Sequence, residues 1–194
     1  MISKDYVYWK GAIPPHVCDQ ILKFGENQTL NKAKIGAGPQ QQVVSKVRDS
    51  SISFVKAPWI LDWILSPVYQ ANKDIFSYEL TGHEYIQFTK YNVGQHYNWH
   101  QDLTKENVGD SICRKLSIII PLNDPSEYEG GEIEFRSMRL SPDDPAEDSI
   151  ISKPEFKERG TLLVFPSIIF HRVKPITKGT RYSLVCWWGG PPFR

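Results

Sequence analysis

The chain has 194 residues, 40% of them hydrophobic and 23% charged, with a formal net charge of +1. These values exclude intrinsic disorder and a disulfide-stapled miniprotein, and they disfavour a nucleic-acid partner, whose phosphates call for a broad cationic field. The length is that of one compact domain, so residues 1–194 are expected to form a single unit. Its three cysteines, Cys18, Cys113 and Cys186, are odd in number and widely separated, which fits a reducing compartment better than a disulfide framework. The sequence starts without a long apolar leader and contains no apolar run long enough to span a bilayer. A soluble, cytoplasmic protein without membrane contact is expected.

In chain order, residues 15–26 carry Val17, Cys18, Ile21, Leu22 and Phe24 at near-helical spacing, and Pro14-Pro15 suits a first helical turn. Residues 36–42 combine turn formers with glutamines and read as a mobile loop that would cover a site. Over residues 59–76 the apolar spacing again predicts helix, divided in two, with Ser66-Pro67 as N-cap and first-turn proline of the second. After Gly82 the pattern changes to alternation rich in aromatic and β-branched residues, beginning with residues 85–91. Further strands are expected at 116–122, 131–135, 161–165, 168–173 and 181–188, separated by Pro, Gly, Asn and Asp. Residues 141–148 are polar and proline-punctuated and read as a solvated loop. Helices followed by many short strands predict an α+β, mainly β fold: a jelly roll over about residues 83–190, buttressed by helices over about 13–80.

His100-Gln101-Asp102 places two metal-ligand types at i and i+2, which on an extended segment share one face. His171 is the only histidine after Asp102 and the best candidate for a third ligand. Two histidines and one carboxylate make a facial triad that leaves positions open on Fe(II). An isolated His-x-Asp is a weak signal, but here it follows a predicted strand and Gly94, which permits a sharp turn. His96 lies four residues before His100 without helical support and is read as outside the site. Tyr91 and Tyr97 in the same stretch read first as packing aromatics with tethered hydroxyls.

Downstream, residues 165–188 read as strand, turn, strand. If the two strands pair, Arg181 returns beside His171 and offers a permanently charged, bidentate donor suited to a carboxylate. Arg172 would alternate to the opposite face and be solvated.

With these residues in view, the chain resembles the prolyl 4-hydroxylase-like (PKHD-type) branch of the 2-oxoglutarate and Fe(II)-dependent dioxygenases. The likeness runs over most of the sequence. It rests on Val47-Arg48-Asp49-Ser50-Ser51, the Tyr91-x-x-Gly94-x-x-Tyr97-x-x-His100-x-Asp102 pattern, Tyr128-Glu129-Gly130-Gly131-Glu132-Ile133, Gly160-Thr161-Leu162-Leu163-Val164-Phe165-Pro166-Ser167, and the His171 to Arg181 pair. The Glu-Gly-Gly-Glu element and the segment from His171 to Arg181 are similar to those of bacterial and phage PKHD-type hydroxylases. The resemblance implies a double-stranded β-helix (cupin-like jelly roll) with the metal at one open end. It also implies an enzyme using Fe(II), 2-oxoglutarate and O2, extending to ascorbate, and releasing succinate and CO2. His100, Asp102 and His171 would hold the metal, Arg181 the distal carboxylate of 2-oxoglutarate, with Tyr91 beside the cosubstrate. Tyr97, Arg114 and Trp187 are candidates for the substrate mouth, although Arg114 reads equally as a strand-end charge and Trp187 as a core aromatic. Where some relatives place a tyrosine for the distal carboxylate, this strand reads Ser117-Ile118-Ile119-Ile120-Pro121, which leaves the second partner of that carboxylate open.

Asp102 favours hydroxylation, because related halogenases replace the carboxylate with a small residue. A prolyl residue in a peptide or protein is the first choice of substrate, with a free amino acid or another peptidyl residue as the alternative. Nucleic-acid demethylation is disfavoured: related repair enzymes carry a second arginine six residues after the first, and Trp187 stands there. From other classes, a jelly-roll metal-binding module without turnover and a zinc hydrolase with the same ligands are the rivals.

Overall fold

A computed structural model describes residues 5–36, 41–103, 113–136 and 150–192. Among the described residues three short α-helices, α1 (Pro15–Glu26), α2 (Pro58–Leu61) and α3 (Leu65–Ala71), precede most of the sheet. The strands β1–β15 among the described residues run Val7–Trp9, Asn31–Lys32, Arg48–Asp49, Ser51–Val55, Gly82–His83, Ile86–Tyr91, His96–His100, Cys113–Pro121, Tyr128–Gly130, Ile133–Arg136, Ile150–Ile151, Leu162–Pro166, His171–Val173, Ile176–Gly179 and Arg181–Gly190. They form an eight-stranded sheet in the order β1-β12-β8-β15-β6-β4-β2, with β5 on β15. A five-stranded sheet, β11-β10-β13-β7-β3, and the β14-β9 pair complete the set. Every pairing is antiparallel, which agrees with the jelly roll expected from the strand pattern.

The side-chain period of two divides each strand of the larger sheet between two environments. On one face Phe88, Ile118, Ile120, Val164, Leu184 and Trp188 join a core with the helices. On the other, Ile119, Leu163 and Phe165 pack with Ile133 and Phe135 of the smaller sheet. The positions on that inner face nearer the open end are polar: Gln87, Thr89, Ser117, Arg181 and Ser183 are all buried. Apolar burial therefore holds the two sheets together at one end, and at the other Gln87, Arg181 and Ser183 line a cavity.

Helix α1 matches the residues expected, with Pro14 at the N-cap and Pro15 in the first turn. Gly25 lies in its last turn because a Cβ there would come 2.3 Å from the Phe88 ring. Close approach to the sheet offsets the roughly 1 kcal/mol that glycine loses to alanine in a helix. The 59–76 region is divided, as expected, but Ser66 is not the cap. Ile64 occupies that position, and Ser66 and Pro67 lie inside the first turn of α3. Proline is tolerated there because a first-turn N–H has no partner within the helix. A π-helical turn over Asn72–Phe76 follows and ends at Ser77, with φ of 56°.

Other expectations are corrected. Residues 168–170 are not strand but follow β12 as a turn and bend, so β13 begins only at His171. The strand at 131–135 begins at Ile133. Strands β1 to β4 arise where no strand was expected, because each is completed by a partner elsewhere in the chain: β1 by β12, β2 by β4, β3 by β7 and β4 by β6. The three cysteines are buried and unpaired. Most of the 36–42 loop and all of the 141–148 loop lie outside the described residues. No helix among the described residues is long and apolar enough to cross a membrane.

Candidate metal centre

His100 ends β7, and His171 opens β13 directly opposite it in the antiparallel register. Asp102 lies beyond the strand end, where the backbone amides of Asp102 and Leu103 both donate to the carbonyl of Ser167, at 2.9 and 3.0 Å. The shared face expected for His100 and Asp102 therefore comes from a pinned bend rather than from continued extension. Asp102 Oδ1 is 3.7 Å from His100 Nε2, and Oδ2 is 3.5 Å from His171 Nε2. One ligand atom from each of the three residues lies within 4.8 Å of the others.

Both imidazoles are oriented by their other nitrogen. His100 Nδ1 is 2.8 Å from the Asn98 carbonyl and His171 Nδ1 is 2.9 Å from that of Ile169. A carbonyl only accepts, so each Nδ1 carries a proton and each Nε2 is the ring atom turned to the centre. Burial, reinforced by the neighbouring His171, pushes the His100 pKa down to about 3, which keeps its Nε2 lone pair available at neutral pH. Burial alone would raise Asp102, but His171, His100, Arg114 and the Ser117 hydroxyl hold its carboxyl well below the usual range. Ser117 Oγ lies 2.7 Å from Asp102 Oδ2 and 2.9 Å from Ser167 Oγ. Two inward-facing imidazole Nε2 atoms and an ionised, oriented carboxylate suit a divalent transition metal. His96 bonds to the carbonyls of Gly94 and Lys46 and stays out of the cluster, as expected. Gly94, at φ of 83°, forms the turn that brings β7 back from β6.

The cluster opens onto a cavity of about 570 Å³. Arg181 reaches the same cavity, but not by the route the sequence suggested: β13 and β15 belong to different sheets and do not pair. It arrives from the facing sheet, in register with Tyr91 on β6, with its guanidinium 5.6 Å from the Tyr91 ring centroid. The side chain is 1% exposed and its Nη1 donates to Ser183 Oγ at 3.1 Å. Nε and Nη2, the edge that grips a carboxylate side-on, are buried with no hydrogen-bond partner among the described residues. The Tyr128 hydroxyl is likewise buried, lies beside the Arg181 guanidinium and makes no well-formed hydrogen bond among the described residues. Burial raises the Tyr128 pKa although the Arg181 charge opposes it. These orphaned donors fit the distal carboxylate of a dicarboxylate cosubstrate.

Gly131 makes this arrangement possible. It has φ of 66°, and a Cβ there would come 2.5 Å from Ile176 Cδ1 and 2.9 Å from Arg181 Cδ. Gly131→Ala should cost about 2 to 3 kcal/mol from left-handed backbone strain and overpacking. Thermal denaturation should show a lowered Tm.

Tyr97, Arg114 and Trp187 all line the cavity. Tyr97 stacks on His100 with ring centroids 3.4 Å apart, and burial raises its pKa to about 12, so its hydroxyl stays protonated. Arg114 is gripped in bidentate fashion by Glu84, at 2.5 and 2.7 Å, and caps the Trp187 ring at 3.8 Å. Arg172 does alternate to the outer face but is not merely solvated: it bonds Glu134 at 2.7 Å and stacks on Trp99. Ser117, Ser167, Tyr128 and Ser183 were not anticipated in the site. Ser117 alone left a local trace, as a polar residue inside an isoleucine-rich strand.

Residues 86–189, more than half of the chain, match the family profile of the 2OG-Fe(II) oxygenase superfamily. A PKHD-type hydroxylase of Thermosynechococcus vestitus is 35% identical over 104 residues, and one of Prochlorococcus marinus is 32% identical over 102. Each alignment covers 53% of this chain but only 41% and 40% of the relative, so the chain spans about two-fifths of the length of these relatives. Among solved structures, a Pseudomonas putida prolyl-4-hydroxylase superposes with a TM-score of 0.71 at 20% identity, covering 95% of this chain and 92% of that one. A prolyl hydroxylase from Trichoplax adhaerens, in complex with a hypoxia inducible factor peptide fragment, gives 0.74 at 17% identity, covering 96% and 84%. At these identities the two structures speak for the fold.

Proposed function

Because the chain belongs to the 2OG-Fe(II) oxygenase superfamily, we propose that it is a 2-oxoglutarate-dependent hydroxylase acting on prolyl residues of a peptide or protein. The observation that carries this reading is one cavity lined by both the His100, Asp102 and His171 cluster and the buried Arg181. His100, Asp102 and His171 would hold Fe(II), with Ser117 fixing the Asp102 carboxylate so that its charge faces the metal. Arg181 would take the distal carboxylate of 2-oxoglutarate through Nε and Nη2, and the Tyr128 hydroxyl would supply a second donor. Tyr91 would stack against the Arg181 guanidinium and hold its plane. With both bound, the metal and cosubstrate supply oxidation of a C–H bond by O2, coupled to release of succinate and CO2.

The protein's own contribution is placement and exclusion of water. Tyr97 covers the open side of the His100 ring, and the Trp187 ring capped by Arg114 forms an apolar wall on which a pyrrolidine ring can pack. The relatives named as PKHD-type hydroxylases and the prolyl hydroxylases of like fold support the substrate assignment. It is tested by incubating proline-containing peptides with the protein, Fe(II), 2-oxoglutarate and O2, then locating added mass by tandem mass spectrometry. One added oxygen on proline, matched by succinate, is expected. Oxygen gained only on other residues or on free amino acids would overturn the prolyl assignment.

A further inference from the structure

The cavity wall carries more positive charge than the metal and cosubstrate account for. Five cationic side chains line it: Lys32, Lys34, Arg48, Arg114 and Arg181. Arg181 is committed to the cosubstrate, and Glu84 neutralises Arg114. Asp102, the one carboxylate on the wall among the described residues, belongs to the metal cluster. Lys32, Lys34 and Arg48 remain, and none has a carboxylate within ion-pair reach among the described residues.

Arg48 carries the argument. It is only 8% exposed, yet among the described residues its hydrogen bonds go to neutral groups: Nε to Ser50 Oγ at 3.2 Å and Nη2 to Gln87 Oε1 at 3.3 Å. Gln87 is itself held by a 2.8 Å bond to Thr89 Oγ1, so the guanidinium is fixed in place. Nη1 makes no hydrogen bond among the described residues. The guanidinium lies 4.6 Å from the Tyr97 ring centroid, and Tyr97 stacks on His100, so this charge is one aromatic ring away from the metal cluster. Burying a guanidinium against neutral partners is costly unless an anion joins it. The protein as a whole is almost neutral, so this excess is a local feature of the cavity. Lys32 on β2 and Lys34 just after it are exposed at the cavity mouth, where they would draw an anion inward.

We infer that the substrate carries a carboxylate close to the oxidised carbon, taken by Arg48 at the cavity wall and attracted by Lys32 and Lys34 at its mouth. The inference rests on the oxygenase reading and narrows its substrate. The carboxylate has two sources, an acidic side chain or chain end of a peptide and the α-carboxyl of a free amino acid.

The test uses the Fe(II) and 2-oxoglutarate-loaded protein with matched pairs of ligands differing only in carboxylate against carboxamide. One set is proline-containing peptides with Asp or Glu against Asn or Gln, or with free against amidated C-termini. The other is free amino acids against their amides. Binding is read by isothermal titration without oxygen, and oxygen gain by mass spectrometry after air is admitted. The carboxylate member of at least one pair should bind about tenfold or more tightly than its amide, as a charge-assisted hydrogen bond in a buried site predicts. That ratio should collapse toward one in Arg48→Met and be partly retained in Arg48→Lys. The double variant Lys32→Ala/Lys34→Ala, altered only at exposed positions, should reduce it and flatten its dependence on salt. Equal binding of both members, or binding of neither, overturns the proposal even if prolines are hydroxylated. Preference for a phosphorylated ligand or an oligonucleotide over every carboxylate also overturns it. A carboxylate preference with oxygen gained on residues other than proline upholds the proposal and removes the prolyl assignment.

Discussion

Asp102→Ala should abolish oxygenase turnover and weaken Fe(II) binding by at least about a hundredfold, given that even outer-shell changes cost ten- to a hundredfold. The substitution removes the only anion of the cluster and leaves two imidazoles, which carry no negative charge to offset a dication. It also leaves the Ser117 hydroxyl without its 2.7 Å acceptor, although Ser167 remains beside it. Titration with Mn(II) as a redox-silent probe reads the affinity, and succinate formation reads the turnover. Asp102→Glu should restore part of the metal affinity, because charge is kept while the geometry of the bend at Ser167 is not. Retained Mn(II) affinity in Asp102→Ala would show that the cluster is a structural polar network and not a metal site.

Arg181→Ala should raise the Kd and KM for 2-oxoglutarate by about ten- to a hundredfold or more, as loss of a buried hydrogen-bonded ion pair at 1.5 to 3 kcal/mol predicts. Mn(II) affinity should hold, because Arg181 comes from the sheet facing β7 and β13 and belongs to no ligand pair. Arg181→Lys should lie between, since one ammonium cannot reproduce the side-on grip of Nε and Nη2. Titration of 2-oxoglutarate into the Mn(II)-loaded variants measures this without turnover. Undiminished activity in Arg181→Ala would favour a metal hydrolase using the same three ligands and water.

The contrast between these two residues shows where the sequence was readable. His100 and Asp102 are close in the chain, and strand alternation nearly suffices to bring them together. His171 was identifiable as the only later histidine, and its cross-strand pairing with His100 is a long-range fact that spacing does not encode. Arg181 was expected beside His171, and it lines the same cavity, but the strand pair that was to bring it there does not exist. It is the closure of the two sheets that brings it to the cavity. β15 was legible from its own alternation, because both of its faces are specified. β1, β3 and β4 were not, because each is short and becomes a strand only when a distant partner completes its hydrogen bonds. Arg48 was quoted within a motif without a role, because nothing local indicates that its guanidinium is buried against neutral groups. Tyr128 escaped for the same reason: an unsatisfied hydroxyl is a property of the packed interior and not of the residues beside it in sequence.

The central claim is that one cavity holds Fe(II) and 2-oxoglutarate together. It is tested most directly by adding 2-oxoglutarate to the Fe(II)-loaded protein without oxygen, recording the visible spectrum, and then admitting air. The account predicts a charge-transfer absorption that needs both Fe(II) and 2-oxoglutarate, is lost in Asp102→Ala and is weakened in Arg181→Ala at limiting cosubstrate. It predicts further that this absorption decays in air as succinate forms. No absorption in the unaltered protein, and no succinate on exposure to oxygen, would contradict it.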